Sequence, residues 1–222
     1  MSKVKLDVQP EKKVIHTPVT IREPNIDEAM IEIVGTAPLV IHRFSQKAKN
    51  SILDNMKAGG KNRKGKARSA FDVEATFNEG RYISKDGWDG FNASAVRNAM
   101  ISACRLVNFK MTIAKLSVFC VQDGWDATEP QIPLVRIYGK ARPMETMAWP
   151  QMGGAYVCVR PCYDEWGAKV RIRYDADQFT LTDVTNLMQR VGMQVGFGEG
   201  RPDSKDSAGM GWGTFKLKQS HE

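Results

Sequence analysis

The sequence contains few of the residues on which several classes of protein depend. Among its 222 residues are four cysteines and three histidines, and aromatic residues make up 9%. Four cysteines are too few for a disulfide-stabilised scaffold, so we expect reduced core cysteines in a cytoplasmic protein. Cys158 and Cys162 have no matching second pair of ligands nearby, so we expect no zinc site. The other two cysteines are Cys104 and Cys120.

Long apolar runs are also missing. The longest stretches, such as residues 37–41, are far too short to cross a bilayer. The first residues carry charges and lack an apolar segment, so we expect neither a signal peptide nor a membrane partner. Hydrophobic residues make up 42% of the chain and charged residues 26%, which excludes a wholly disordered or collagen-like protein. We expect an extended arm over residues 1–27 and a single domain over 28–222.

Familiar catalytic motifs are absent from the sequence. His16, His42 and His221 lie far apart, and there is no Gly-x-Ser-x-Gly motif. No Gly-Lys-Ser or Gly-Lys-Thr is present, which excludes a P-loop. The sequence therefore predicts a protein that is not an enzyme and that needs no cofactor or metal.

Positive charge is abundant and locally concentrated. Lysine and arginine number 32 against 25 aspartate and glutamate, which gives a net charge of +7 and favours a polyanionic partner. Residues 57–68 read KAGGKNRKGKAR, with six basic residues and no acidic one. This composition predicts a flexible surface loop that either binds an anion or is simply solvated. The candidate nucleic-acid contacts in this loop are Lys61, Arg63, Lys64, Lys66 and Arg68.

Hydrophobic periodicity predicts several helices. The clearest is over residues 93–107, capped by Asn92 or Ser94, and a last helix is expected over 182–193 with its apolar residues facing inward. A helix over 46–57, capped by Ser45, is expected to bury Ala48, Ile52 and Met56. The inward residues of the first helix are Val96, Ala99, Met100, Ala103, Cys104 and Val107, and those of the last are Val184, Leu187, Met188 and Val191.

Strands are expected between these helices. The patterns predict one bent strand or two short strands within residues 29–42, and further strands near 71–77, 115–122 and 134–138. A hairpin is expected from residues 156–163 and 169–174, with its turn at 164–167. In its second arm Val170, Ile172 and Tyr174 alternate with Lys169, Arg171 and Arg173, which gives one apolar and one cationic face. Solvation explains that cationic face as well as ligand binding does.

The segment 196–213 is rich in glycine. It holds six glycines in eighteen residues, interleaved with Phe197, Arg201, Lys205 and Trp212. Glycine lets a backbone approach a phosphate closely, but it equally well makes tight turns with positive φ. The spacing is not a Rossmann fingerprint, because the segment follows a helix rather than a strand.

Three segments together resemble a known family. MIEIVGTAPLVIH (30–42), FNASAVRNAMISACR (91–105) and VGFGEGRPDSKDSAGMGWGTFKL (195–217) are similar to the first strand, the next helix and the closing glycine-rich loop and strand of the RAMP superfamily (repeat-associated mysterious proteins) found in CRISPR effector complexes. The resemblance implies a ferredoxin- or RRM-like core within an α+β fold, with inserted loops and an extended N-terminal arm, that grips single-stranded nucleic acid. Nuclease activity is not carried over, because His42 precedes a predicted helix and Asp54 lies inside it.

The sequence as a whole predicts sequence-tolerant binding of single-stranded RNA or DNA by a protein that forms a homo-oligomer along the strand or joins a larger nucleoprotein assembly. Phe44, Phe197 and Trp212 are the candidates for base stacking, which tolerates any sequence. A structural or assembly protein, such as a virion component, and an RNA-processing nuclease of the same superfamily are the alternatives. The resemblance implies that Asn92, Ser94 and Arg97 meet phosphates at the start of the helix and that the segment 196–213 lines the groove. The other candidate contacts outside the basic loop are Arg43, Lys47, Gly196, Phe197, Gly198, Arg201, Lys205, Gly211 and Trp212.

Overall fold

The computed structural model of the protein describes residues 21–44, 46–57, 71–148, 156–204 and 209–218. These residues form a mixed structure of helices and antiparallel sheets, which confirms the α+β part of the predicted fold. The helices are α1 (Gln46–Lys57), α2 (Val73–Glu79), α3 (Ala93–Ala103), α4 (Met111–Ser117) and α5 (Leu181–Arg190). The strands are β1 (Ile26–Gly35), β2 (Leu39–Val40), β3 (Tyr82–Ile83), β4 (Asp89–Asn92), β5 (Val118–Val121), β6 (Gly124–Trp125), β7 (Pro133–Arg136), β8 (Tyr138–Ala148), β9 (Tyr156–Asp175) and β10 (Phe215–Leu217).

Strand β9 is the central strand of the larger sheet and pairs with other strands along both of its edges. Residues 171–174 of β9 pair with both β1 and β5, so these two strands lie on opposite edges of it. The first half of β9 lies in the same way between β2 and β8. Strand β10 pairs with β1 and completes the order β10-β1-β9-β5. Of the two alternatives expected within residues 29–42, the structure has two separate strands, β1 and β2.

The predicted hairpin within 156–174 is wrong, because β9 runs straight through the expected turn. Gly167 pairs with Tyr138 on one edge and with Val34 on the other. The side chain of Trp166 is buried, and its Nε1–H donates a hydrogen bond to the carbonyl of Ala37 at 2.8 Å. The sequence Asp-Glu-Trp-Gly therefore continues a strand here, since pairing on both edges outweighs its local preference for a turn.

Helices α3 and α5 pack on one face of this sheet. The predicted inward residues of both helices are buried, except Val107, which is 44% exposed beyond the end of α3. The Asn92 side chain caps α3 by accepting from the backbone N–H of Ser94 at 2.8 Å. The N-terminus of α5 is closed by a capping box between Thr180 and Asp183. On β9, the alternation of buried apolar and outward basic residues over 169–174 is confirmed.

A smaller sheet has the order β3-β4-β7-β6. Strand β4 leads directly into α3, because Asn92 is both the last residue of the strand and the helix cap. One hydrophobic cluster includes Phe91 and Val135 from this sheet and Ile31 and Val170 from the larger one. The start of α3 is thereby fixed against both sheets.

Two predicted strands are corrected by the structure. Residues 71–77 do not form a strand, because Asp72 caps α2 by accepting from the backbone N–H of Ala75 at 3.0 Å. The strand expected over 115–122 is shorter, since its first three residues close helix α4 and β5 begins at Val118. The last two residues of the expected arm, 26 and 27, are paired in β1, and residues 1–20 lie outside the described chain.

Helix α1 forms as predicted, but its expected packing is wrong. Ile52 is 48% exposed and Met56 is 72% exposed, and Leu53 between them is also exposed. The side chain of Ala48 and the expected cap Ser45 lie outside the described residues. The apolar residues of α1 therefore face away from the core of the described chain.

Candidate nucleic-acid interface

The three segments of the RAMP resemblance meet at one cleft of about 470 Å³. One wall is the end of the first segment, at Ile41 and His42, and the second wall is the outer face of α3. The glycine-rich segment closes the cleft on the remaining side. The lining residues are Ile41, His42, Tyr82, Phe91, Asn92, Ala95, Asn98, Ala99, Ser102, Val195, Gly196, Gly198, Glu199, Arg201, Asp203 and Ser204.

An aromatic stack holds the glycine-rich segment in place. Phe197 is 1% exposed and stacks between Phe91 and Phe215, with ring centroids 5.2 Å and 4.9 Å away. Trp166 meets the edge of Phe215 at 6.1 Å. The expectation that Phe197 stacks on a base is therefore corrected, because both faces of its ring are covered by protein.

The glycines of this segment serve the fold. Gly196, Gly198 and Gly211 all have positive φ, at 71°, 74° and 77°, where residues with a Cβ are strained. A Cβ on Gly198 would lie 2.3 Å from the carbonyl oxygen of Val40. The space that we expected a phosphate to occupy beside Gly198 is thus filled by strand β2. The turn-forming alternative is favoured for these positions.

Two of the predicted arginine contacts point into the structure. Arg43 is 8% exposed, and its Nη2 donates to Asp126 at 2.8 Å and to Glu129 at 3.2 Å. Arg97 donates from Nε to the carbonyl of Val118 at 3.1 Å. These two arginines hold elements together, so neither is an open surface contact for a strand.

Other predicted side chains lie either at the cleft or elsewhere on the surface. Asn92 and Arg201 line it, and Arg201 is held by a hydrogen bond from its Nη1 to the carbonyl of Gly198 at 3.0 Å. Ser94 is exposed beside the start of α3, and Phe44 is 47% exposed. Trp212 is half-buried, because the six-membered ring of its indole packs directly against the backbone of Gly200. A Cβ added to Gly200 would lie 2.3 Å from this ring. The structure places Asn92 and Arg201 on the same cleft and leaves the outward residues Ser94 and Phe44 accessible.

The remaining candidates cannot be placed. The basic residues expected to contact nucleic acid at 61–68 lie outside the described residues, as does Lys205. The backbone of Lys47 belongs to α1, and its side chain is likewise outside the described part of the chain.

A cluster of three ionisable side chains lies at the cleft, and the sequence did not indicate it. Glu199 accepts from Arg160 Nε at 2.8 Å, and its Oε2 lies 3.7 Å from His42 Nδ1. Partial burial and the neighbouring Arg160 guanidinium hold the pKa of His42 below its usual value, although Glu199 opposes this shift. His42 is therefore a neutral imidazole at pH 7. The three residues are far apart in the chain, and no local motif links them.

The cysteines and the outward face of β9 carry no visible site. The cysteines are free thiols, and burial raises the pKa of Cys120 to about 12, so this thiol stays protonated. Lys169 and Arg173 pair with Glu32 and Glu28 at 2.9 Å and 2.8 Å, which neutralises much of the cationic face.

No cluster of three metal-ligating side chains occurs among the described residues. None of the helices in the described ranges is long and apolar enough to span a membrane.

Comparison with known proteins adds no relative to this picture. No protein-family model matches the chain, and no curated protein matches it either. The resemblance to the RAMP superfamily is therefore a hypothesis that depends on the quoted residues and on their meeting at one cleft.

Proposed function

We propose that this protein binds single-stranded RNA or DNA, without sequence preference and without catalysis, along the cleft between α3 and the glycine-rich segment. The observation that carries the proposal is that the three separate segments of the family resemblance line this one cleft. Segments that are far apart in the chain lie together at a surface when either the fold or a function of that surface requires it.

The lining of the cleft suits a sugar-phosphate backbone. Asn92, Asn98, Ser102 and Ser204 supply short polar side chains, and Arg201 supplies a cation. Contacts of this kind to phosphate and sugar fix the position of a strand and carry no sequence information. The acidic residues Glu199 and Asp203 are already paired, to Arg160 and Arg105 respectively. A cleft with such a lining is expected to bind nucleic-acid strands of any sequence.

We further propose that the core is a ferredoxin-like fold. In chain order the elements β1, α3, β5, β9, α5 and β10 give the pattern βαββαβ. The sheet order β10-β1-β9-β5 places the first and third strands of this pattern at the centre. The smaller sheet, α1 and α2 are then insertions, which supports the expectation of inserted loops.

Assembly along the strand is proposed to involve α1. Its exposed residues Ile52, Leu53 and Met56 have no cover within the described chain. At its start, Lys49 pairs with Glu129, which also accepts from the buried Arg43. A helix that is anchored at one end by ion pairs and presents apolar residues outward is suited to contact a second copy of the chain.

Two measurements test the binding function. Purified protein is expected to carry nucleic acid, which raises the ratio of absorbance at 260 nm to that at 280 nm. After nuclease treatment and removal of this material, fluorescence anisotropy with labelled single strands of unrelated sequence is expected to give similar affinities. Affinities that differ by orders of magnitude between strands would contradict binding without sequence preference. A protein that purifies free of nucleic acid and has no affinity for any strand would favour a purely structural subunit.

A second candidate function is cleavage of RNA, favoured by His42. This imidazole is 46% exposed at the cleft and neutral at pH 7, so its ring can accept a proton from a 2′-hydroxyl. Labelled RNA incubated with the protein, with and without a chelator, separates the two candidates. Intact RNA under both conditions supports binding alone, whereas cleavage that is lost in His42→Ala supports the nuclease.

A further inference from the structure

A second, smaller cavity adjoins the cleft at His42, which lines both. It has a volume of about 170 Å³ and lies between the end of β2, the last turn of α2 and the first half of β9. No acidic residue is among those that line it. The lining residues are His42, Arg43, Phe44, Thr76, Gly80, Val159 and Arg160.

Arg43 lines this cavity, but its guanidinium is already bonded to the protein. Its Nη2 is bonded to Asp126 and Glu129, and its Nη1 donates to the carbonyl of Arg81 at 3.4 Å. Its Nε is buried and has no hydrogen-bond partner among the described residues. This nitrogen is shielded by protein, so Arg43 lines the cavity without offering its Nε–H to a ligand there.

Arg160 contributes a second guanidinium to the same cavity. Glu199 accepts from its Nε at 2.8 Å and the carbonyl of Val159 from its Nη1 at 3.3 Å, which fixes the plane of the group. Within the described chain its Nη2 makes no hydrogen bond. The N–H groups of Nη2 are therefore available to donate charge-assisted hydrogen bonds to the oxygens of a phosphate group.

We propose that this cavity binds a phosphate group of the nucleic-acid strand through the guanidinium of Arg160. The proposal rests on the proposed strand binding and adds a discrete anchoring site to it. The cavity has space for about five or six water molecules, which suits one phosphate group and is too small for a nucleoside. Either an internal phosphodiester or a terminal phosphomonoester has the required chemistry.

Inorganic phosphate tests the cavity independently of any strand. The imidazole proton resonances of His42, assigned with a His42→Asn variant, are followed by NMR as phosphate is added at constant ionic strength. A saturable shift is expected in the wild type and in Arg173→Gln, and it is expected to be absent from Arg160→Gln. Arg173 is a matched control, because it also lies on β9 and pairs with one glutamate, Glu28. No saturable shift in the wild type, or the same shift in all three proteins, would overturn the proposal.

Two strands of one sequence then identify the source of the phosphate. One carries a 5′-phosphate and the other a 5′-hydroxyl, and both are bound to wild type and to Arg160→Gln. A tenfold preference for the phosphorylated strand that Arg160→Gln abolishes assigns the cavity to a terminal phosphate. Equal affinities in the wild type, with about a tenfold loss for both strands in Arg160→Gln, assign it to an internal phosphate. If the wild type binds strands and Arg160→Gln binds them equally well, the anchoring site is wrong while strand binding stands.

Discussion

The carbonyl oxygen of Val40 lies against the backbone of Gly198, and a side chain at residue 198 would stand only 2.3 Å from it. The neighbouring backbone N–H of Glu199 donates to the same oxygen at 2.9 Å. These contacts join the glycine-rich segment to the end of β2. They bring Glu199 to His42 and thereby form one side of the cleft.

The glycines of this segment should therefore differ in their effect on stability. Gly198→Ala combines a positive φ with a backbone clash, whereas Gly211→Ala has the positive φ alone and no atom within 4 Å. Gly211→Ala is expected to cost about 1 kcal/mol, or about 2–4 °C in Tm for a protein of this size, and Gly198→Ala clearly more. Thermal unfolding followed by circular dichroism measures both. Equal Tm values for Gly198→Ala and wild type would show that the contact with Val40 is not part of the folded state.

Phe197 should act on stability rather than on strand affinity. Phe197→Ala removes a ring from the middle of the aromatic stack and is expected to cost about 3–5 kcal/mol in the free energy of unfolding. Phe197→Leu retains most of the volume, so it is the variant suited to binding measurements. Its urea midpoint is expected to fall while its affinity for a single strand stays within about twofold. A large loss of affinity with an unchanged midpoint would restore Phe197 as a stacking residue.

The partly buried ion pairs at the start of α1 should make stability depend on pH. Hydrogen bonds from Lys49 and then Arg43 hold the pKa of Glu129 below its ordinary value of 4.5. A carboxyl with a lowered pKa stabilises the fold above its unfolded-state pKa, and this stabilisation is lost as the pH falls through the folded-state value. Glu129→Gln is therefore expected to be less stable than wild type at pH 7 and to lose less stability between pH 6 and pH 3. Parallel pH profiles for the two proteins, from urea unfolding, would contradict this role.

The exposed residues of α1 should control assembly. Ile52→Asp combined with Met56→Asp places charge on a face that is proposed to meet a second copy. The double variant is expected to sediment as a smaller species than wild type in analytical ultracentrifugation, with an unchanged Tm because neither side chain is in the core. Thr182→Asp, an exposed substitution at the start of α5, serves as the control for added charge. The same sedimentation coefficient for wild type and the double variant would remove α1 from the interface.

The sequence predicted the elements whose signals are local. The helix stripe around Val96 and Met100 and the cap at Asn92 follow from spacing alone, and both are confirmed. The interior of β9 was misread because Asp164 to Gly167 has the composition of a turn, while its strand conformation is imposed by partners that are distant in the chain. Helix α2 was missed because the cap at Asp72 was read as part of a strand.

The sequence singled out segments that line the cleft, but it did not indicate the contacts within it. The glycine-rich segment and the start of α3 were singled out, and they do line one cleft. Arg43 was expected to be a surface contact, but it is bonded to two carboxylates instead. These partners lie more than eighty residues away in the chain, and no local sequence pattern indicates them. The meeting of His42, Arg160 and Glu199 likewise depends on how β2, β9 and the glycine-rich segment are arranged in space.

The most direct test of strand binding is the salt dependence of affinity for Arg201→Gln, wild type and the control Arg142→Gln, which removes an exposed arginine paired with Asp164. Wild type and Arg142→Gln are expected to bind any single strand, with log affinity falling against log salt at a slope of about −2 or steeper. This slope corresponds to three or more neutralised phosphates at about −0.7 each. Arg201→Gln is expected to reduce the slope by about one phosphate contact. No measurable strand binding by the wild type at low salt, or a slope near zero, would contradict the proposed function.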